Sequence, residues 1–585
     1  MSDTQEGATA GAGSRAALAV LVAFVVLSPW PFGSVHLRTT QAITIVSLAT
    51  ALGAFLHDGR RAPLRAPRLL LWPLLGLWTL AVIQLIPLPE GLHRLIAPGT
   101  ANVWHPEVPV AAAILGDALR PISLHPEATR RSLAFGTGLL ALALAAVPAL
   151  RERRLLLRAS VAIVTGGVLV AAYGLVARLV FTDKLYGVWS VPTIAPFGPF
   201  VSKNHFAGYV ELAALLAVGL AAGLASEARR GPGSLSWIES RRARWVVAAW
   251  GAAAILVLAV PVCLSRGGVV SLSAGLVAFA GLRLWSRRDA RLSPRRLLAL
   301  GVAAALLLVA LVSVLPTEAR ARVLTLAGVT TDQSGSYRLA VWRDTLRLVG
   351  SSPWLGSGFG AYEDAIPRFK TAAGNLSVEH AESDHLELLA EGGLVGATLV
   401  VALITFVLTR GLRGATGPSH RLARGLVAGA MAGLVAIGVH SAFDFNLRIP
   451  SNALVCAVLV AVVLSVTTGD ASSPPPRAAM LAVAALTLGA ALLTSWAAPR
   501  MSSGPLLRAA RSGESSLRRA GLDADVTSHL RRRPADAAAW LALAWLRFPS
   551  SRDEASSLAS WAVHLDPTNR AVRDARSRLE KHPAR

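Results

Sequence analysis

The chain has 585 residues, of which 53% are hydrophobic and 16% charged, with a mean hydropathy of +0.52. Globular proteins average about 45–50% apolar and about 25% charged residues, so the deficit here is in charge, as expected where lipid replaces water around much of the surface. A disordered chain, a collagen-like fibre, a disulfide scaffold and a soluble enzyme with one anchor are excluded. The two cysteines, Cys263 and Cys456, form neither a disulfide framework nor a metal site.

Thirteen apolar runs approach the ~20 residues that carry a helix across a bilayer. In chain order they cover 16–31, 39–56, 69–88, 132–150, 155–181, 206–225, 245–264, 268–284, 297–315, 393–409, 425–442, 451–467 and 478–498. A net charge of +24 suggests nucleic acid only until the charges are mapped. With the N-terminus in the cytoplasm, Arg15, Arg477 and the segments 60–68, 151–158, 229–244, 283–296 and 410–424 carry 25 Lys/Arg. The four short outer loops carry five: Arg38, Lys184, Lys203, Arg266 and Arg448. This is the positive-inside asymmetry, so the basicity is topological and no nucleic-acid partner is expected. The first run has a single Arg before it and twelve runs after it, which suits a retained helix better than a signal peptide.

The expected fold is all-α: a polytopic membrane protein of about 12–13 transmembrane helices. Residues 1–15 form a cytoplasmic N-terminus and 16–315 the first nine helices with their outer loops. Residues 316–392 are a large outer loop, 393–498 the last four helices and 499–585 an outer tail. Loop 89–131 repeats His-Pro-Glu at 105–107 and 125–127, which suits helix N-terminal capping. Loop 316–392, with ten acidic and seven basic residues, has the balance of a structured domain. In the tail, Arg533-Pro534-Ala535-Asp536 and Asp566-Pro567-Thr568-Asn569 recur 33 residues apart, each opening a helix, in the manner of a tetratricopeptide-type pair. So few repeats need another surface to pack on, and the large outer loop is the expected one.

Ionisable residues within or at the end of a span are functional candidates because lipid makes them costly. Most lie on the outer side. Arg178 ends the fifth run, where snorkelling and function both remain open. Lys203, Asn204 and His205 precede the sixth, and Glu211 follows Asn204 by two helical turns on the same face. Arg266 occupies a tight turn between the seventh and eighth runs. The stretch 353–360 alternates glycines, which reads as a tight turn and not a phosphate cradle, since no Lys-Ser/Thr follows. Residues 380–396 bring two imidazoles and four carboxylates to the start of the tenth run.

Four segments, in this order, resemble the O-antigen ligase and O-antigen polymerase superfamily of bacterial membrane glycosyltransferases. They are 198–209, around Lys203-Asn204-His205; Ser265-Arg266-Gly267-Gly268; Tyr337 to Trp342 continuing to the glycine turn; and His380 to Gly396. The resemblance covers roughly residues 130–465 and leaves the N-terminal hundred residues unexplained. It implies transfer of glycan from an undecaprenyl-diphosphate carrier to a glycan, lipid or protein acceptor, in polysaccharide or lipopolysaccharide synthesis. The work is done at the periplasmic face of the bacterial inner membrane, without a metal or other cofactor. The loop and tail are then periplasmic, and the tail is an appendage that some relatives carry, suited to a protein partner.

By the same resemblance Arg266 holds the diphosphate, with Lys203, Asn204 and His205 beside it and Arg338 as a further cation. His380 is the candidate base. Relatives often place a second His where this chain has Glu382, so His380, Glu382 and His385 all stay open as the base. Ligase, polymerase and protein O-oligosaccharyltransferase are not separated by these motifs. A transporter or flippase of a lipid-linked glycan and an envelope scaffold are the competing classes.

Overall fold

The computed structural model describes residues 10–58, 68–181, 184–190, 196–228, 241–286, 333–371, 374–417, 420–467, 489 and 522–581. Among these, helix dominates and a single two-stranded hairpin is the only sheet. The first helices are α1 (Ala12–Leu27), α2 (Leu37–Asp58), α3 (Arg68–Ile83), α4 (Glu90–Ile96), α5 (Pro98–Trp104), α6 (Pro109–Leu115), α7 (Pro126–Leu150) and α8 (Arg153–Val180). The hairpin β1 (Lys184–Leu185) and β2 (Trp189–Ser190) precedes α9 (Lys203–Ala228), α10 (Arg241–Val262) and α11 (Arg266–Trp285). Then come α12 (Gln333–Ser351), α13 (Tyr362–Ala365), α14 (Asp384–Thr416), α15 (Arg421–His440) and α16 (Pro450–Thr467). The tail holds α17 (Leu522–Leu530), α18 (Ala537–Arg547), α19 (Arg552–Leu565) and α20 (Arg570–Lys581).

Among the described residues, eight helices are long and apolar enough to cross a membrane: α2, α7, α8, α9, α10, α11, α14 and α15. Three more of the expected spans, in α1, α3 and α16, are shorter apolar helices. The runs 297–315 and 478–498 lie outside the described residues. The chain is thus an all-α polytopic membrane protein.

The chain divides into two compact units. One comprises 1–72, 134–328 and 402–491, the other 73–133, 329–401 and 492–585.

The first unit is organised on α9, whose apolar window is 89% buried. Helices α8, α10, α11, α15 and α16 pack around it. Apolar burial drives little in lipid, so close backbone approach has to hold such helices together. Glycines provide it. A Cβ at Gly219 would lie 2.5 Å from the Gly425 carbonyl oxygen, and one at Gly429 would lie 2.5 Å from that of Leu215.

In the second unit the glycine-rich stretch is the expected turn, and it is built against α14. That helix is broken at Gly393 (φ 62°, ψ −167°). Amides past the break find carbonyls of the turn, Leu394 N donating to Pro353 O (2.8 Å) and Val395 N to Trp354 O (3.2 Å). In return Ser357 N donates to Ala390 O (2.9 Å) and Gly358 N to Glu391 O (3.1 Å). Fully buried Gln84 stitches the assembly through Leu355 O (2.7 Å), Glu391 O (2.8 Å) and Phe359 N (3.1 Å). Gly356 has φ +68°, and a Cβ there would meet the Glu391 carbonyl at 2.3 Å. Left-handed backbone costs an L-residue about 1–2 kcal/mol and overpacking about 1–3 kcal/mol. Gly356→Ala is therefore expected to lower stability by about 2–5 kcal/mol. A melting temperature unchanged from wild type would contradict this packing.

The tail packs as expected on loop residues of its own unit. Trp540, Leu558 and Val572 share one apolar core with Trp104, Val341, Tyr362 and Ala381. Both recurring turns open helices: Asp536 caps α18 by accepting from Ala539 N (3.1 Å), and Asn569 Oδ1 accepts from Ala571 N (3.1 Å) at α20. Of the two His-Pro-Glu copies, only the second opens a helix directly, with Pro126 starting α7. After the first, α6 begins at Pro109.

Ion pairs lock the same core. Arg533 Nη2 lies 2.7 Å from Asp364 Oδ1 and His125 Nδ1 2.8 Å from Asp364 Oδ2, while Lys370 Nζ is 3.1 Å from Asp566. Burial would raise the Asp364 pKa, but His125 and Arg533 outweigh it and hold the carboxyl below its ordinary 3.8. At Asp536, burial is likewise outweighed by His529 and Arg533. Depressed carboxylates stabilise the fold above the unfolded-state value and stop doing so as pH falls through the folded one. Acidification below 3.8 should thus loosen the tail. Arg533→Ala, removing a charge-assisted bond to a buried carboxylate, should cost about 2 kcal/mol and shift that release to higher pH. Limited proteolysis across a pH series measures both, and identical profiles for the two proteins would contradict the pairing.

Candidate functional site

In the first unit, α9 and α11 begin side by side, each with a cation as its first residue, Lys203 and Arg266. The junction is held by short polar side chains. Asn204 Oδ1 accepts from Ser265 Oγ (2.9 Å), and Asn204 Nδ2 donates to Asp444 Oδ2 (2.6 Å). Asp444 also lies 3.3 Å from His205 Nε2. Ser265 caps α11, its Oγ accepting from Gly268 N (3.1 Å), and Leu264 just before it is in the left-handed region (φ 62°). That conformation costs a bulky residue about 1–2 kcal/mol and persists only where surrounding contacts over-determine it. The turn thus fixes the start of α11, with Arg266 half-buried.

Deeper in the same unit lies a fully buried polar network. Glu211 accepts from Ser271 Oγ (2.6 Å), and His440 Nδ1 lies 3.1 Å from its other oxygen. As their spacing predicts, Asn204 and Glu211 turn toward the same neighbour, α11. A Cβ on Gly267 would come within 3.2 Å of His440, so Arg266's helix starts in close contact with that ring.

The second cluster belongs to the other unit and is built where α14 starts. His380 Nδ1 is 3.0 Å from Glu387 Oε1, and Ala381 N donates to Glu387 Oε2 (2.9 Å). Glu387 is 1% exposed, whereas the His380 side chain keeps 30%. A carboxylate on Nδ1 selects the tautomer with the proton there and makes Nε2 the basic nitrogen. Between them Glu382 is left-handed (φ 54°), its carboxylate accepting from Arg338 Nε (3.3 Å) and its carbonyl from Trp342 Nε1 (3.4 Å). His385 is exposed on the first turn of α14.

The structure therefore brings Lys203, Asn204, His205 and Arg266 together within one unit, and Arg338, His380 and Glu382 within the other. Among the described residues, no group of three His, Cys, Asp or Glu side chains is placed to hold a metal ion. Sequence reasoning gave no role to Asp444, Gln84 or His440, and it left Glu387 as one of four carboxylates. The available signal for Asp444 was an acidic residue in a short outer loop.

The family model described as O-antigen ligase matches residues 251–401, a range that holds Arg266, Arg338, the glycine turn and the stretch from His380 to Gly396. No curated protein matches the chain. Over residues 251–401 the chain is thus similar to the O-antigen ligase family, and with the multi-pass helical fold this match supports a glycosyltransferase-type membrane enzyme.

Proposed function

We propose that this protein transfers glycan from an undecaprenyl-diphosphate carrier to an acceptor hydroxyl at the periplasmic face, without a metal ion. The observation that carries the reading is the junction of Asn204, Ser265 and Asp444, which fixes two helix N-termini led by Lys203 and Arg266. Helix N-termini present unpaired amides and a positive partial charge, and Arg grips phosphate oxygens with a planar fork. Both suit a diphosphate. The orientation follows from the positive-inside pattern, which puts this junction, the loop 316–392 and the tail outside.

In the proposed step the acceptor oxygen bonds to the anomeric carbon and the carbon–oxygen bond to the diphosphate breaks. The electron pair leaves with the carrier diphosphate, and Lys203 and Arg266, with Asn204 and His205 beside them, stabilise its charge. The acceptor proton passes to His380 Nε2, a role supported by the His380–Glu387 pairing. The Arg338–Glu382 ion pair favours His380 over Glu382 as base and gives Arg338 a part in shaping the turn. The tail, a tetratricopeptide-like set of helices in this reading, would recruit the acceptor or a protein partner.

Reconstituted protein given a native lipid-linked glycan and a labelled acceptor tests this. Labelled acceptor gaining glycan in the presence of EDTA supports the ligase form, and lengthened carrier-linked glycan supports the polymerase form. Donor moved across the bilayer with no new glycosidic bond would replace the reading with a flippase.

A further inference from the structure

Two polar rungs tie the same segments of the membrane unit together. The first is Asp444–Asn204–Ser265, with links of 2.6 and 2.9 Å, at the starts of α9 and α11. The second is His440–Glu211–Ser271, with links of 3.1 and 2.6 Å. Each runs from the end of α15, or the loop just after it, through α9 to the beginning of α11. Glu211 follows Asn204 by two helical turns, so the rungs stand about 10 Å apart along α9. The second is closed inside the helix packing: Glu211 and Ser271 are fully buried and His440 is 1% exposed. The proposed reaction gives it no part.

Cohesion does not account for the second rung. Small residues already bring these helices together, at Gly219 and Gly429 between α9 and α15, and at Gly268, where a Cβ would lie 2.6 Å from the Ala207 Cβ of α9. In such a place a well-packed apolar trio avoids the cost of burying ionisable groups and is often at least as stable. What apolar side chains lack is direction, and fixing register is the best-attested use of a buried polar group. Glu211 spends both oxygens on this, one on Ser271 and one on His440. Ser271 Oγ also lies 2.8 Å from the Gly267 carbonyl oxygen, and the His440 ring is 3.2 Å from where a Gly267 Cβ would stand. Both partners of Glu211 therefore bear on Gly267, the residue that follows Arg266.

We infer that Glu211 and His440 are positioning residues, which fix the first turn of α11 against α9 and so hold Arg266 in register with Lys203 for the diphosphate. The assignment rests on the glycan-transfer reading and adds to it two buried residues that act through Arg266. It makes Glu211 a determinant of turnover and diphosphate binding, separable from its part in holding the helices together.

Full-length protein in nanodiscs tests this through three readouts: melting temperature, calorimetric binding of farnesyl diphosphate, and carrier-release kinetics. Glu211→Met replaces the carboxylate by an apolar chain of similar length. It should melt no lower than wild type, yet lose at least about tenfold in kcat with KM for the acceptor unchanged, and bind farnesyl diphosphate several-fold more weakly. Glu211→Gln offers Ser271 an acceptor and His440 a donor, and should recover most of both losses. Ser271→Ala, which removes a single hydroxyl, should show the same losses in smaller measure, and it serves as the test if Glu211→Met does not fold. Combined with Glu211→Met it should add little, since both break one rung. Variants that turn over and bind like wild type, losses that only follow a fallen melting temperature, or a Gln variant as impaired as the Met variant would each overturn the assignment. Wild-type protein that binds farnesyl diphosphate in a Glu211-dependent way but releases no carrier counts against glycan transfer, whereas carrier release that the variants share counts against the positioning role alone.

Discussion

Arg266→Ala is expected to reduce release of carrier from a lipid-linked glycan donor by about 10²–10³-fold, the usual cost of removing one fixed group that stabilises developing charge. The magnitude follows from where the residue stands. Arg266 is the first residue of α11, placed by the Ser265 cap and the left-handed turn at Leu264. Deleting the guanidinium should leave insertion and helicity unchanged, since the Ser265 cap stays, while the diphosphate loses its fork. Arg266→Lys should retain part of the rate, keeping the charge but not the bidentate geometry. Kinetics with purified variants check both, and wild-type turnover by Arg266→Ala would remove the diphosphate role.

His380→Ala has the other large expected effect, a loss of about 10²–10⁴-fold, the range for a general base. Glu387 is expected to act through it. Glu387→Gln keeps the side chain's size but loses the carboxylate that holds Nδ1 at 3.0 Å. It should lower kcat by at least about tenfold with KM for the donor unchanged, as for other carboxylates that orient a catalytic imidazole. Glu387→Asp should recover part of that loss. A purely structural Glu387 would instead lower stability and raise KM without this split, and Glu382→Gln outdoing His380→Ala would transfer the role of base.

What the sequence made legible and what it hid differ in range along the chain. Apolar length is a local property, so the spans could be located from it. Helix α14 starts ahead of the apolar run, since Asp384 to Glu391 is helical although it carries three carboxylates, and the break at Gly393 falls where that run begins. Arg266 was conspicuous as a cation in a tight turn on the side where cations are scarce. Its support was not conspicuous, since Asp444 lies 240 residues from Asn204. Gln84 reaches partners 271 and 307 residues away, so no local pattern announces it. Glu387 was present within the densest motif. Which of four carboxylates meets His380 depends on a left-handed turn at Glu382, a conformation that residue type argues against. The tail's helix starts were readable because Asp536 and Asn569 are capping residues at a repeat spacing.

The most direct test of the account is free undecaprenyl diphosphate, quantified after purified protein is mixed with its native lipid-linked glycan and an acceptor in the presence of EDTA. The account predicts carrier released in step with new glycosidic bonds by wild-type protein and almost none by Arg266→Ala. Folded wild-type protein that releases no carrier from an authentic donor, or an Arg266→Ala variant that releases it normally, would contradict it.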